Sequence, residues 1–353
     1  MKGMILAAGF GTRFRPATFE IPKPMVPLCN KPLIDYAVES LLRAGVSDVV
    51  VNLHHLPDLL QAHLERRFSR RCRVHFSHEE EILGTGGGIR RARELLEGDD
   101  AFFLVNGDTI QFPPLDQLER IRAGRDAVAA LLLRHPPEGD RFTSVFFENG
   151  AVTGFGEGSG EALMFSGSHS ISRRIFDLLP DRDFSGITED VYIPLLRSGE
   201  VELAGLVHDG PWFDIGTPLR YRTASEQVKN LMIGGSIGVP DGSRVDHAAS
   251  ALISNDAEAA GTIESTIVGR ARVARGATVH GSVLWDDSEV KPSARISDSI
   301  LCGGVSIPAG ATVGNAMVAA IRPDIEYPEG TTVTGQFAAV PIDPGSPLVL
   351  DFR

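Results

Sequence analysis

Cysteine is scarce in this sequence. Cys29, Cys72 and Cys302 are odd in number and far apart, which supports neither a disulfide framework nor a CxxC metal site and fits a reducing cytoplasm. Positive charge is outweighed, with 34 Lys plus Arg against 46 Asp plus Glu and a formal net charge of -12. That balance argues against a nucleic-acid groove, so any phosphate must be held locally. Long hydrophobic runs are missing too: Met4 to Ala8 is too short for a signal peptide, and nothing approaches the roughly 20 apolar residues of a membrane span. Neither nucleic acid nor a membrane is expected as a partner. No Ser-His-Asp or Cys-His arrangement suggests a covalent nucleophile. His54-His55 lacks a third ligand at metal spacing, so packing at the start of a helix is expected there.

What is present is a core-forming composition, 353 residues of which 42% are hydrophobic and 23% charged, enough for two domains. Through residue 233, apolar or β-branched runs (Gly3 to Ala7, Asp48 to Leu53, Arg73 to Phe76, Ala101 to Asn106, Ala127 to Leu133) alternate with helical patterns. That alternation is the mark of βαβ units on a mostly parallel sheet. Leu33, Ala37, Leu41 and Ala44 share one face of a crossover helix that Gly45 ends. A last helix, roughly Pro218 to Met232, leads into Gly234, Gly235 and Gly238, and the domain boundary is expected there, dividing 1–233 from 234–353.

Beyond it a six-residue rhythm runs through Ile267, Val273 and Val279, then Val290 and Ile296, then Ile307 and Val313. Small residues (Ala271, Ala277, Ser288, Ala294, Ala311) stand two positions before most of these. Stacked triangular coils need one large inward residue per face and a small one at the corner. The rhythm resembles the hexapeptide repeat of left-handed parallel β-helices, as in Val273-Ala274-Arg275-Gly276-Ala277-Thr278, although the register breaks near Val283 and Ser299. Such a module serves as a cap or for self-association, and a homo-oligomer is expected.

The strongest signal is Leu6-Ala7-Ala8-Gly9-Phe10-Gly11-Thr12-Arg13-Phe14-Arg15-Pro16-Ala17-Thr18, followed by Pro22-Lys23-Pro24, at the end of the first strand. Glycines at 9 and 11 let the backbone curl so that N–H groups face phosphate oxygens, while Arg13 and Lys23 add positive charge. A dinucleotide fingerprint fails because its third glycine would fall on Phe14, and a Walker loop fails because no Gly-Lys-Ser/Thr follows. The segment resembles the signature Gly-x-Gly-Thr-Arg-x-x-Pro-x-Thr-x-x-x-Pro-Lys of sugar-1-phosphate nucleotidyltransferases, matched at every fixed position.

That resemblance implies a Rossmann-like α/β catalytic domain, carrying the nucleotide on Leu6, Ala7, Ala8, Gly9, Gly11 and Thr12, with Arg13 near the β- and γ-phosphates and Lys23 near the α-phosphate. Leu83-Gly84-Thr85-Gly86-Gly87-Gly88, expected just before a helical pattern at Ile89 to Leu96, is the segment that contacts the base in the family. It is also similar to the muramate phosphate uridylyltransferase loop. In layout the chain looks nearest to mannose-1-phosphate guanylyltransferases with a β-helix, and the base stays open.

Asn106-Gly107-Asp108 ends the strand Ala101 to Val105, which delivers a carboxylate to the C-terminal edge of the sheet, where α/β ligands sit. Asp108 is the first expected metal ligand. Asp214, in Trp212-Phe213-Asp214-Ile215-Gly216-Thr217-Pro218, is similar to the family's Trp-x-Asp-Ile/Val-Gly-Thr/Gln-Pro motif and is the second. Two carboxylates with phosphate oxygens suit Mg²⁺, a hard cation. Gly167 in Phe165-Ser166-Gly167-Ser168 and Glu189 in Ile187-Thr188-Glu189-Asp190 resemble sugar contacts, though helix capping is an equal reading for Glu189 and Asp190. Where many members carry Glu-Lys-Pro this chain has Phe155-Gly156-Glu157-Gly158, and no lysine lies between Lys31 and Lys229. An arginine such as Arg141 is a candidate substitute.

The implied reaction joins an NTP and a sugar 1-phosphate into an NDP-sugar with release of pyrophosphate. Its rivals are a regulatory homologue that holds a nucleotide sugar, an acyltransferase using His247 or His280 in the β-helix, and a dehydrogenase.

Overall fold

The computed structural model describes residues 1–137, 139 and 142–352; Arg141 lies outside them. Two compact units share the chain, and they do not follow its order: one comprises residues 1–10 and 33–213, the other residues 11–32 and 214–353. No helix among the described residues is long and apolar enough to cross a membrane.

The first unit is built on β1 (Lys2–Leu6), α1 (Leu33–Arg43), β2 (Asp48–Leu53), α2 (Pro57–Phe68), β3 (Arg73–His78), α3 (Gly84–Arg91), α4 (Arg93–Leu96) and β4 (Ala101–Asn106). It continues with α5 (Leu115–Gly124), β5 (Ala129–Arg134), β6 (Val145–Glu148), β7 (Ala151–Phe155), β8 (Glu161–Ser172), α6 (Ile193–Ser198) and β9 (Leu203–Val207). The sheet order is β3-β2-β1-β4-β8-β5-β9-β7-β6. The block β3-β2-β1-β4 is parallel throughout, β5 and β9 are parallel to each other, and only β8 and β7 run against the rest. Central strands of such a sheet are covered on both faces, and β4, β5 and the middle of β1 are accordingly buried, with Met4, Phe102, Leu104, Leu131 and Leu133 in one core.

The glycine-rich helix starts earlier than the sequence pattern suggests. The expected Ile89 to Leu96 is two pieces, α3 from Gly84 and a short α4, separated at Ala92. The N–H groups of Gly86 and Gly87 both donate to the Ser185 carbonyl, at 2.8 and 3.2 Å, which anchors a first turn that glycine propensity alone would not form. Added Cβ atoms would lie 2.5 Å from Ser185 O at Gly84 and 2.1 Å from Asp183 O at Gly87, so only glycines admit this contact.

The second unit is a parallel β-helix preceded by α7 (Pro218–Ile233). Its inward residues stack in three columns, Val268-Leu284-Leu301-Val318, Val273-Val290-Ile307 and Val279-Ile296-Val313. One corner explains the broken register, since from Leu284 to Leu301 and from Leu301 to Val318 each coil is one residue short of three full hexads. The short corner holds a column of positive φ at Ser265, Gly281, Asp298 and Asn315. Thr266, Ser282 and Ser299 follow, all buried. Each of these hydroxyls donates to the carbonyl two residues earlier, at 2.7, 2.7 and 2.6 Å. Ser282 and Ser299 also accept an N–H from the next coil. Buried hydroxyls satisfied in this way replace the missing residue without an orphaned polar group.

Candidate active site

In the first unit, the root of the glycine loop is fixed by two buried polar side chains that sequence reading did not single out. Ala7 N–H donates to Asn52 Oδ1 at 2.6 Å, Asn52 Nδ2 donates to Glu79 Oε1 at 2.7 Å, and Glu79 Oε2 accepts from Leu83 N–H at 3.1 Å. Asn52 is 3% and Glu79 5% exposed, so this chain of bonds is shielded from water and ties the end of β1 to the start of α3. A Cβ on Gly88 would lie 3.0 Å from Glu79 Oε1, which is why a glycine stands there. The available signal was Asn52 itself, an amide inside the apolar strand Asp48–Leu53.

Beyond this root, nothing lies within 4 Å of a Cβ built on Gly9, leaving an open face for a ligand. His54 is held by packing as expected: Nδ1 bonds to the Glu79 carbonyl at 2.9 Å and the ring meets Phe10 edge-on.

Asn106 ends β4, paired in register with Leu6, and Gly107 follows it. Gly107 N–H donates to Leu6 O at 2.9 Å, and a Cβ there would lie 3.0 Å from that oxygen. Gly167 has φ +92°, and its Cβ would fall 2.5 Å from Asn106 Nδ2, at the irregularity of β8 between Phe165 and His169. Leu6, Asn106, Gly107 and Gly167 are thus brought to one sheet edge, with Asp108 the next residue. Two positions beyond Gly167, His169 is buried and bonds through Nδ1 to the Tyr192 hydroxyl at 2.9 Å, and burial pushes its pKa down to about 3.

Tyr192 closes a π-helical turn, Thr188–Tyr192, that carries Glu189 and Asp190. Thr85 Oγ1 accepts the Ile187 N–H at 2.8 Å, which joins this turn to the expected base segment. The structure separates the two acids. Asp190 accepts the Gly186 N–H at 2.7 Å and pairs with Arg182, and the first of these bonds is the main cause of its lowered pKa. It is a capping residue. Glu189 lies over Gly186, whose Cβ would meet Glu189 Oε2.

At the end of β5, Arg134 stacks over Trp212 with its guanidinium carbon 5.4 Å from the ring centre and donates to Gly210 O at 3.0 Å. Burial lowers its pKa from the usual arginine value. Arg134, Trp212, Ser166 and Gln111 line a small cavity. The Gln111 amide and the Ser166 hydroxyl have no hydrogen-bond partner among the described residues.

In the second unit, Gly11 occupies the left-handed region (φ +62°), and its Cβ would lie 2.9 Å from Lys23 Cβ and 3.0 Å from Thr18 Cγ2. Thr18 Oγ1 donates to Gly11 O at 2.8 Å. The signature spacing of Gly11, Thr18 and Lys23 is therefore a packing unit that buries the lysine stem. Phe14, fully buried, stacks on Trp285 of the coils and meets Tyr221 of α7 edge-on. The Trp285 indole N–H donates to Tyr221 Oη at 2.9 Å, and that hydroxyl donates to Pro27 O at 2.5 Å. On the exposed side, Arg13 and Asp214 converge on Gly216: a Cβ there would lie 3.1 Å from Arg13 Nη1 and 3.0 Å from Asp214 Oδ2. Asp214 is paired with Arg220 of α7, whose backbone N–H is capped by Thr217.

Among the described residues no group of three or more His, Cys, Asp or Glu side chains is arranged to hold a metal. Asp108 in the first unit and Asp214 in the second are each a single hard oxygen donor. That chemistry fits a cation which keeps waters and phosphate oxygens.

The family described as Nucleotidyl transferase matches residues 2–230, and one described as GlmU-like, C-terminal hexapeptide matches residues 227–335. Mannose-1-phosphate guanylyltransferase catalytic subunit beta of Xenopus tropicalis is 32% identical over 233 residues, 63% of either chain. A mannose-1-phosphate guanyltransferase of Emericella nidulans is 31% identical over 245 residues, covering 64% of this chain and 63% of that one. The chain thus spans about 63% of the length of the curated relatives it matches. Among solved structures, HddC from Yersinia pseudotuberculosis is 26% identical with a TM-score of 0.53, covering 64% of this chain and 99% of that one. The same protein complexed with GMP-PN gives a TM-score of 0.54.

Proposed function

The chain belongs to the nucleotidyl transferase family, and from that premise we propose that it transfers a nucleoside monophosphate from an NTP to a sugar 1-phosphate, releasing pyrophosphate. Relatives named mannose-1-phosphate guanylyltransferases and a similar structure bound to GMP-PN support guanine as the base and a mannose-type sugar phosphate as acceptor. The observation that carries the reading is the convergence of Arg13 and Asp214 on Gly216, from two motifs far apart in the chain.

In this reading the sugar phosphate is its own nucleophile, a dianion near neutral pH. One of its oxygens forms a bond to the α-phosphorus while the bond from that phosphorus to the bridging oxygen breaks, and the electron pair leaves with pyrophosphate. No general base is needed. The protein's part is positioning and charge neutralisation. Lys23 neutralises the α-phosphate, Arg13 the departing pyrophosphate, and the backbone from Leu6 to Thr12 cradles the phosphates. Thr85 and its flanking glycines Gly84 and Gly86, with Asn106 and Gly107, hold the nucleoside; Gly167 and Glu189 face the sugar. Arg134 takes the sugar phosphate charge that the missing lysine would have met. Asp108 and Asp214 are the residues that would offer carboxylate oxygens to Mg²⁺, which when bound would withdraw charge from phosphate oxygens. A homo-oligomer joined through the coils, in a reducing cytoplasm, completes the reading; the three cysteines are free thiols.

The test is pyrophosphate release from each of five NTPs against mannose-, glucose-, N-acetylglucosamine- and heptose-1-phosphates, with Mg²⁺ and with EDTA. Magnesium-dependent release requiring one NTP and one sugar is expected. Tight nucleotide binding with no turnover in any combination would instead favour the regulatory homologue.

A further inference from the structure

Helix α7 carries a buried cation that the proposed reaction does not use. Lys229 is 2% exposed and makes no hydrogen bond or ion pair among the described residues. It opens on a cavity of about 20 Å³, lined also by Arg222 and Glu226 of the same helix and by Ser265, Gly281 and Ser282 of the coil corners. Arg222 faces the same space. Its Nη1 is committed to Asp298 at 2.9 Å, but its buried Nε has no partner among the described residues.

A buried ammonium without a counter-charge is costly and is ordinarily paired or hydrogen-bonded. The acidic groups nearby do not serve. Glu226 also lines the cavity, but it is exposed and makes no ion pair with Lys229. The buried Cys29 thiol is pushed far above its usual range by desolvation and stays protonated. Burial lowers the pKa of Lys229, and the Glu226 charge opposes this only in part. Two unpaired cationic donors face one small cavity, which has room for a group of one or two heavy atoms.

We propose that this cavity is an anion site, closed by Lys229 Nζ and Arg222 Nε, that takes a single anionic atom: a halide ion, or one phosphoryl oxygen reaching in from the mouth. Such an ion clamps α7 to the short corner of the coils, since its donors come from the helix and its walls from Ser265 to Ser282. The site runs along α7 from Arg222 to Lys229 and includes no residue given a part in the transfer reaction, so it concerns the mounting of the helix.

The experiment is thermal unfolding of the whole chain at constant ionic strength, with sodium gluconate exchanged stepwise for sodium chloride, and separately for sodium phosphate. Chloride should raise the melting temperature by about 2 °C or more as it saturates the site; a rise with phosphate alone identifies the phosphoryl oxygen instead. Lys229→Met should abolish the rise, and in gluconate it should melt no lower than the wild type, because it removes a buried unpaired charge. Crystals grown in bromide should show an anomalous peak between Lys229 and Arg222. Absence of any ion-specific rise together with an empty anomalous map overturns the proposal, as does a rise that persists in the Met variant.

Discussion

Lys23 is a buried cation and Arg134 a half-buried one, and the proposed reaction asks different things of them. Lys23 meets charge that develops at the α-phosphate, so Lys23→Ala should lower kcat about 100-fold while the chain still folds. Arg134→Ala should act mainly on the sugar phosphate, raising its KM about tenfold. Steady-state kinetics with each substrate varied separates the two, and equal effects on kcat would remove the assignment of Arg134. His169 offers a pH readout. Its folded-state pKa of about 3 lies below the ordinary 6.5, so the unfolded chain binds more protons between those values and stability falls as pH drops through that window. Denaturant melts from pH 7 to pH 4 should show a shallower loss for His169→Gln than for the wild type. Arg13, Lys23 and Asp108 could be nominated as site residues from the sequence because each sits in a local motif. Asn52, Glu79 and Arg134 were not, since a lone polar residue near a strand acquires a role only from what folds against it.

Helix α3 is the element where local preference and structure part. A run of glycines reads as a loop, and Ile89 reads as the first helical residue. The Ser185 carbonyl and the close approach of residues 183–186 turn those glycines into the first turn instead. Gly87→Ala would raise helix propensity but place a Cβ 2.1 Å from the Asp183 carbonyl oxygen. We expect a net loss of about 2 kcal/mol in denaturant unfolding, with looser nucleotide binding; a stabilised variant would contradict the packing argument. In the coils, the hexad rhythm was legible wherever a face is six residues long. The break at Val283 and Ser299 is the short corner. Its buried serine hydroxyls look in sequence like any surface serine.

For the whole molecule, the division of the chain is the main consequence. From Gly11 onward the signature loop belongs to the unit that contains the β-helix, and its Phe14 rests on Trp285. The coils are thus part of the loop's foundation. Trp285→Ala should cost about 3–5 kcal/mol in the unfolding of that unit and raise the KM for the NTP. Truncation after residue 233 should leave a chain that binds nucleotide poorly, measured by titration calorimetry; full affinity in the truncated chain would refute the dependence. The sequence by itself determined the alternation of strands and helices, the coil rhythm and the glycine signature, because each is written in residues a few positions apart whose period or spacing meets one local geometric requirement. Only the tertiary structure decided that residues 11–32 fold with the coils, that Arg13 and Asp214 both flank Gly216, and that Asn52 and Glu79 brace the root of the loop. Those contacts join distant segments, and their formation depends on packing and burial that no local pattern encodes.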